Sequence, residues 1–243
     1  MRATWTIFRR ELAAYLASPL GWIVAATVLL IDGLLFYAQA LGPAAGERLS
    51  AEVLSRFFWT TSGLVAIAAV ALSVRLLVEE RQLDTLVLLN TSPVRDREIV
   101  LGKFLSAFAF LGGITLLTLY MPLLVMVNGK ISAGQIAIGY LGLFLIGGAV
   151  LAVGVFASSL TRHPLLAAAI GAALTGALFL FWPLSFVLDP PLSRVIAGLS
   201  IHGRHFAGFQ VGVLHLRDVF YYLAITFFFL LLATKVLEAK RWE

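Results

Sequence analysis

The chain has no cysteine, so disulfides and thiolate chemistry are excluded, and any metal site would have to be built from histidine and carboxylates. Charge is scarce as well: Lys, Arg, Asp and Glu together make up 13% of 243 residues, about half of what covers the surface of a soluble domain. With 60% hydrophobic residues and a mean hydropathy of +0.96, a water-soluble globule is excluded. No GxxxxGK loop occurs, so ATP is not bound by that route. HExxH, GxSxG and clustered carboxylates within an apolar run are missing too, so no motif argues for hydrolysis inside a membrane. Runs such as IAIGYLGLFLIGGAVLAVGVF do not alternate in polarity, and that excludes a β-barrel, whose strands alternate over about ten residues.

What is present is a series of apolar segments. A helical span needs about 20 mostly apolar residues. Six segments meet this: Leu20 to Ala40, Phe57 to Leu77, Phe104 to Val127, Gln135 to Leu160, Leu165 to Leu188 and Val219 to Leu237. The fold class is therefore all-α, a polytopic membrane protein of six transmembrane helices. The transmembrane domain covers 20–243 and is preceded by an interfacial helix over 1–19. Between Met1 and Ser18 the apolar residues Trp5, Phe8, Leu12 and Tyr15 recur at three and four positions, with Arg2, Arg9, Arg10 and Glu11 among them. This is the pattern of an amphipathic helix lying on a membrane, not of a cleavable signal. It reads equally as a lipid anchor and as a partner-contacting helix. Ser18 and Pro19 suit the N-cap and first turn of the first span.

With a cytoplasmic N-terminus, twelve Lys and Arg residues fall on the inner side and six on the outer: Arg48, Arg56, Lys130, Arg194, Arg204 and Arg217. That ratio satisfies the positive-inside rule with both termini cytoplasmic. The formal net charge of +5 is then a topology signal and not a sign of nucleic-acid binding.

Most informative is the connection over 78–103, together with Arg75 just before it. Ten charged residues lie here: Arg75, Glu79, Glu80, Arg81, Asp84, Arg95, Asp96, Arg97, Glu98 and Lys103. After Glu79, the run Leu83, Leu86, Val87, Leu88 and Leu89 reads as a short helix with an apolar face too small to span. Asn90 to Pro93 reads as a break, with Ser92 as N-cap and Pro93 in the first turn of the next helix, where Asp96 and Glu98 suit the positive end of the dipole. A merely topogenic loop accounts for the basic residues but not for the matching carboxylates and the apolar face, so the segment reads as a docking surface.

Within the spans Asp32 stands out, because an ionised carboxylate near the bilayer centre costs about 2.5–3.5 kcal/mol. It fits a side chain bonded to a neighbouring helix, one drawn outward by a shifted span, or one lining a path or a dimer seam. Gly147, Gly148, Gly154, Gly171 and Gly176 would allow close helix packing. His202, His205 and His215 could suggest a metal, but no carboxylate closely accompanies the first two, and the expected metal set is none. The segment 189–217 reads as a re-entrant external connection, with Leu192, Val195, Ile196 and Leu199 at helical spacing.

EERQLDTLVLLNTSPVRDREIVLGKF resembles the signature of ABC-2 type permeases, in which an EER, a GT dipeptide, an LLLTSPV run and an EIVLGK segment lie between the second and third spans. FRRELAAYLASPLGW is similar to that family's amino-terminal helix, and VFASSLTRHPLLAAA to the end of its fourth span. The segment from His205 to Trp242 resembles the subgroup containing the gliding-motility permease. Together these cover most of the chain. Asp84 stands where the family has Gly, and Val87 where it has Glu, which weakens transfer over 84–87.

The resemblance implies a permease subunit of an ABC exporter in the bacterial cytoplasmic membrane, itself non-catalytic and without cofactor. ATP and Mg²⁺ would be bound by two copies of a separate ATPase. A second permease copy, or a related permease, would complete the pathway. Any extracytoplasmic module would belong to a further accessory chain, and lipid surrounds the whole. The coupling residues it points to are Glu79, Glu80, Arg81, Thr85, Leu88, Leu89, Ser92, Pro93, Glu98 and Lys103, with Trp5, Phe8, Arg9, Glu11 and Leu12 on the helix that transmits the motion. An alternative is a non-transporting subunit that passes ATPase-driven motion to an envelope partner. A stand-alone secondary transporter or channel would need more intramembrane polar residues and internal repeats.

Overall fold

A computed structural model of the chain describes residues 2–42, 49–82 and 95–239. All regular structure among them is helical. In chain order the helices are α1 (Arg2–Ala17), α2 (Pro19–Phe36, continued by a π-turn over Tyr37–Leu41), α3 (Ser50–Ser73), α4 (Arg75–Gln82), α5 (Asp96–Leu117), α6 (Tyr120–Asn128), α7 (Ala133–Leu160), α8 (Pro164–Ser185), α9 (Leu192–Leu199), α10 (Gly203–Gln210) and α11 (Leu216–Ala239). Among the described residues, six helical stretches are long and apolar enough to cross a membrane: Pro19–Ala40, Ser50–Val78, Asp96–Val127, Ala133–Leu160, Pro164–Ser185 and Leu216–Ala239.

Local chemistry sets several boundaries. The Ser18 hydroxyl accepts from the Leu20 N–H at 3.3 Å, and Pro19 fills the first turn of α2. Ser132 and Gln135 cap α7 reciprocally, at 3.2 and 3.1 Å. The third span is interrupted at Thr118 and Leu119, and Pro122 is the cause. Its ring crowds the carbonyl four residues back, that of Thr118, and it has no N–H to continue the ladder. Thr118 turns its hydroxyl to the Thr115 carbonyl at 2.7 Å and accepts from the Tyr140 phenol at 2.8 Å, which stabilises the break.

The centre of the bundle is α7, against which α3, α5, α8, α10 and α11 all pack. Of its most hydrophobic stretch 72% is buried, against 17% for α8, so α7 is the hub and α8 a peripheral span. Glycine makes this crowding possible. A Cβ at Gly142 would lie 2.5 Å from Phe209 Cβ, and one at Gly147 would lie 2.9 Å from Val65. At Gly139 it would overlap the Phe58 ring, and at Gly154 the Ser73 side chain. Such close approach, and not apolar transfer, is how spans associate in lipid. Gly176 does not share this role, since a Cβ there would meet nothing within 4 Å.

At the end of the bundle away from α1, helices α9 and α10 form a hairpin whose tip, Ser200 to His202, is buried. Ile201 N–H donates to the Leu178 carbonyl at 3.1 Å, while the Tyr221 and Tyr222 hydroxyls donate to the carbonyls of Leu199 and Ile201 at 2.8 and 2.7 Å. The turn out of α10 runs through Gly212 at φ 79°, a conformation that costs other residues energy.

Candidate functional site

At the opposite end α1 does not lie free on a surface. It packs along the start of α5, with Ile7 buried where Gly102 leaves room: a Cβ on Gly102 would come within 2.8 Å of Ile7 and 3.0 Å of the Thr4 carbonyl. The docking face is thus centred on Ile7, one position away from the Trp5, Phe8 and Leu12 stripe. Trp5 is exposed and stacks on Phe8 with ring centroids 5.0 Å apart; Leu12 packs against the core, and Arg9 points outward. Tyr15 completes the attachment, stacking on Phe110 at 5.3 Å and donating its hydroxyl to the Leu72 carbonyl at 2.9 Å. One helix therefore grips both the second and the third span.

Lys103 holds the same junction. By residue spacing it belongs to a loop ending before Phe104, yet α5 begins at Asp96, and Lys103 lies on its second turn with a side chain only 3% exposed. Its ammonium stands 3.3 Å from Glu11 Oε1, and that carboxylate also binds Arg10 at 2.6 Å. With Lys103 buried, losing Glu11 would leave its charge away from water, so breaking this pair costs more than breaking a surface pair. Across a cavity of about 140 Å³, Glu11, Tyr15 and Ser18 face Arg75 and Leu76 of α4.

The approach to α5 differs from the expected one. Arg95 is extended, at φ −80° and ψ 143°, and serves as N-cap; its N–H donates to the Glu98 carboxylate at 3.2 Å. The helix containing Glu98 thus starts three residues beyond Ser92 and Pro93, because Glu98 satisfies the Arg95 amide from within the first turn. Arg95, Asp96 and Arg97 border a charged recess of about 330 Å³ together with Glu238 at the end of α11.

Glu79, Glu80 and Arg81 lie on α4, whose Leu76, Leu77 and Val78 are buried against α7 and α8. Their side chains, and Thr85, Leu88, Leu89, Ser92 and Pro93, lie outside the described residues.

Asp32 is fully buried in α2 and faces protein, not lipid. Thr61 of α3 donates to its Oδ1 at 2.8 Å, whereas Oδ2 has no hydrogen-bond partner among the described residues.

The histidines separate. His202 pairs with Ser62 at 2.7 Å. His205 reaches Asp218 Oδ1 at 2.7 Å and the Gly198 carbonyl at 3.1 Å, with its ring 3.7 Å from that of Tyr221. Contrary to the spacing in sequence, His205 does have a carboxylate beside it: Asp218, in the first turn of α11, is thirteen residues away in sequence and in contact in space. No group of three potential metal ligands exists among the described residues. Burial pushes the His202 imidazole down to about 4.

A family model described as "ABC-2 family transporter protein" matches residues 5–239. No curated protein matches the chain.

Proposed function

The chain belongs to the ABC-2 family of transporter proteins and is thus a multi-pass transmembrane subunit of an ABC transporter whose ATPase is a separate chain; we propose that it is an exporter permease driven through the end of the bundle that carries α1. The observation that carries this reading is the attachment of α1 to both spans flanking 83–94: Tyr15 to the second through Leu72, and Glu11 to the third through Lys103. A push on that connection, or on α1, has to move both spans together, since neither attachment can slip without breaking a part-buried polar contact.

In this reading the segment 78–103 docks on the ATPase, with Glu79, Glu80, Arg81, Thr85, Leu88, Leu89, Ser92 and Pro93 at or near the contact. Glu98 holds the start of α5, and Lys103 holds α1. ATP and Mg²⁺ are bound by the partner, in two copies on two permease chains. The α1 end, with both termini, faces the cytoplasm of a bacterial inner membrane, supported by the excess of Lys and Arg at that end. The sequence after His205 supports a place in the gliding-motility-like subgroup.

The test is a charge exchange in the complex reconstituted with its ATPase. Glu11→Lys and Lys103→Glu should each insert normally but lose most ATPase stimulation, and combining them should restore a substantial part. Full stimulation in both single variants would refute transmission through α1.

A further inference from the structure

Where α1, α2 and α4 meet, the cavity of about 140 Å³ lies at the level where a bilayer changes from hydrocarbon to head groups. The first span begins at Pro19 and the second ends at Val78, so Leu20 and Arg75 in the cavity wall stand within one turn of the ends of their spans. Trp22, exposed beside them, donates its indole N–H to the Leu16 carbonyl at 2.7 Å, the posture of an amphipathic ring at a membrane interface. Leu16 is exposed as well, and so are Ala14 and Arg75 in the wall, so the cavity opens outward beside a lipid-facing surface. Its volume is well under the about 300 Å³ at which drug-sized ligands begin to fit. It admits a small polar head and not an acyl chain.

The wall carries one charge of each sign, Glu11 from α1 and Arg75 from α4. Among the described residues both ion pairs of Glu11, to Arg10 and to Lys103, run through Oε1, which leaves Oε2 as an acceptor. Ser18 adds a hydroxyl whose oxygen accepts from the Leu20 N–H at 3.3 Å and whose own hydrogen has no acceptor among the described residues. A head that carried only a phosphate would set its charge against Glu11. A head that carried only an amine would meet Arg75. An ammonium joined to a phosphate by a short link answers both.

We infer that the cavity binds the head group of a phospholipid that joins a primary ammonium to a phosphate, phosphatidylethanolamine, from the leaflet on the α1 side. The ammonium donates to Glu11 Oε2, the phosphate accepts from Arg75 and the Ser18 hydroxyl, and the acyl chains lie outside along Leu16 and Trp22. A choline head carries the same two charges but has no N–H, so it forms no hydrogen bond to Glu11. A glycerol head offers Glu11 only neutral hydroxyls, and charge-assisted hydrogen bonds are about twice as strong as neutral ones. The bound head ties α1 to α4, beside the ties that Tyr15 and Glu11 make directly. Its binding does not depend on where the ATPase docks.

The experiment is a lipid titration of the full chain in a non-ionic detergent, read by native mass spectrometry as the dissociation constant of the first-bound lipid. Phosphatidylethanolamine should bind about tenfold more tightly than phosphatidylcholine with the same acyl chains, and about fivefold more tightly than phosphatidylglycerol. In the series of N-methylated heads the affinity should fall at the third methyl, where the last N–H is lost. Arg75→Gln should weaken phosphatidylethanolamine by about fivefold. Ala14→Leu, which places a branched side chain at the cavity mouth, should weaken it by about tenfold. Both positions are exposed, so both variants should melt like the wild type. If one variant fails to fold, the other and the methylated series decide. Equal affinity for the ethanolamine and choline lipids, tighter binding of phosphatidylglycerol, or an unchanged preference in both variants would each overturn the proposal. So would displacement of the lipid by free glycerophosphoethanolamine at equal concentration, which would assign the cavity to a soluble amine phosphate.

Discussion

Replacing Asp32 by leucine should stabilise the protein. The carboxylate is fully buried, yet its contacts are few: Oδ1 accepts from Thr61 at 2.8 Å, and Oδ2 has no partner among the described residues. Losing one interhelical hydrogen bond within a membrane costs about 0.6 kcal/mol and at most about 1.7. Thr61 limits that loss further, because its hydroxyl can turn back to the carbonyl of Phe57 in its own helix. Removing a buried acceptor with no donor relieves about 1–3 kcal/mol. The balance favours leucine by roughly 0.5–2 kcal/mol. Asparagine keeps the bond to Thr61 but places two N–H donors where Oδ2 stood, so Asp32→Asn should be the less stable of the two. Denaturant unfolding of the purified chain in micelles reads the order directly. Transport or ATPase stimulation, measured in parallel on the complex, should fall in both variants, since a polar atom held at a cost to stability needs a use to persist. A leucine variant less stable than the wild type by more than about 1 kcal/mol would refute the structural reasoning, the relief alone being expected to reach that size. A stabilised leucine variant with normal transport would refute the functional half.

Reversing Glu79 and Glu80 to Lys should leave the chain inserted but reduce ATPase association, measured by co-purification; unchanged association would remove α4 from the docking surface. Gly142→Ala, whose new methyl would sit 2.5 Å from Phe209 Cβ and 3.1 Å from the Phe206 ring, should destabilise by about 1–3 kcal/mol by forcing α10 away from α7, whereas Gly176→Ala should be neutral or mildly stabilising. Thermal unfolding of the two variants checks both. For His202 the folded value near 4 lies below its ordinary 6.5, so the unfolded chain binds the proton first, and the stability due to a neutral His202 is present above pH 6.5 and is lost as pH falls toward 4. His202→Gln should flatten that part of the stability profile, and an unchanged slope would contradict the burial argument.

The six spans are legible in the sequence because membrane partitioning adds up over local residues: about 20 apolar side chains in a row decide it, whatever they later touch. The caps at Ser18 and Ser132 are legible for the same local reason, and so was the interruption at Thr118, had Pro122 been read four residues back. What could not be read is which helix meets which. Lys103 and Glu11 look like loop and surface charges until α1 folds onto α5, and Ser62 meets His202 across 140 positions. His205 finds its carboxylate only once the hairpin returns to α11. Lipid tails are as apolar as leucine, so the hydrophobic effect that inserts the spans does not sort them laterally. Shape and hydrogen bonding between distant segments do that: glycine seats such as Gly139 and Gly142, the Pro122 break, and the few buried polar pairs. The sequence by itself therefore determined that this chain crosses a membrane six times. Only the tertiary structure decided that α1 clamps two spans, that Asp32 faces Thr61, and that His202, at the buried tip between α9 and α10, meets Ser62 of α3.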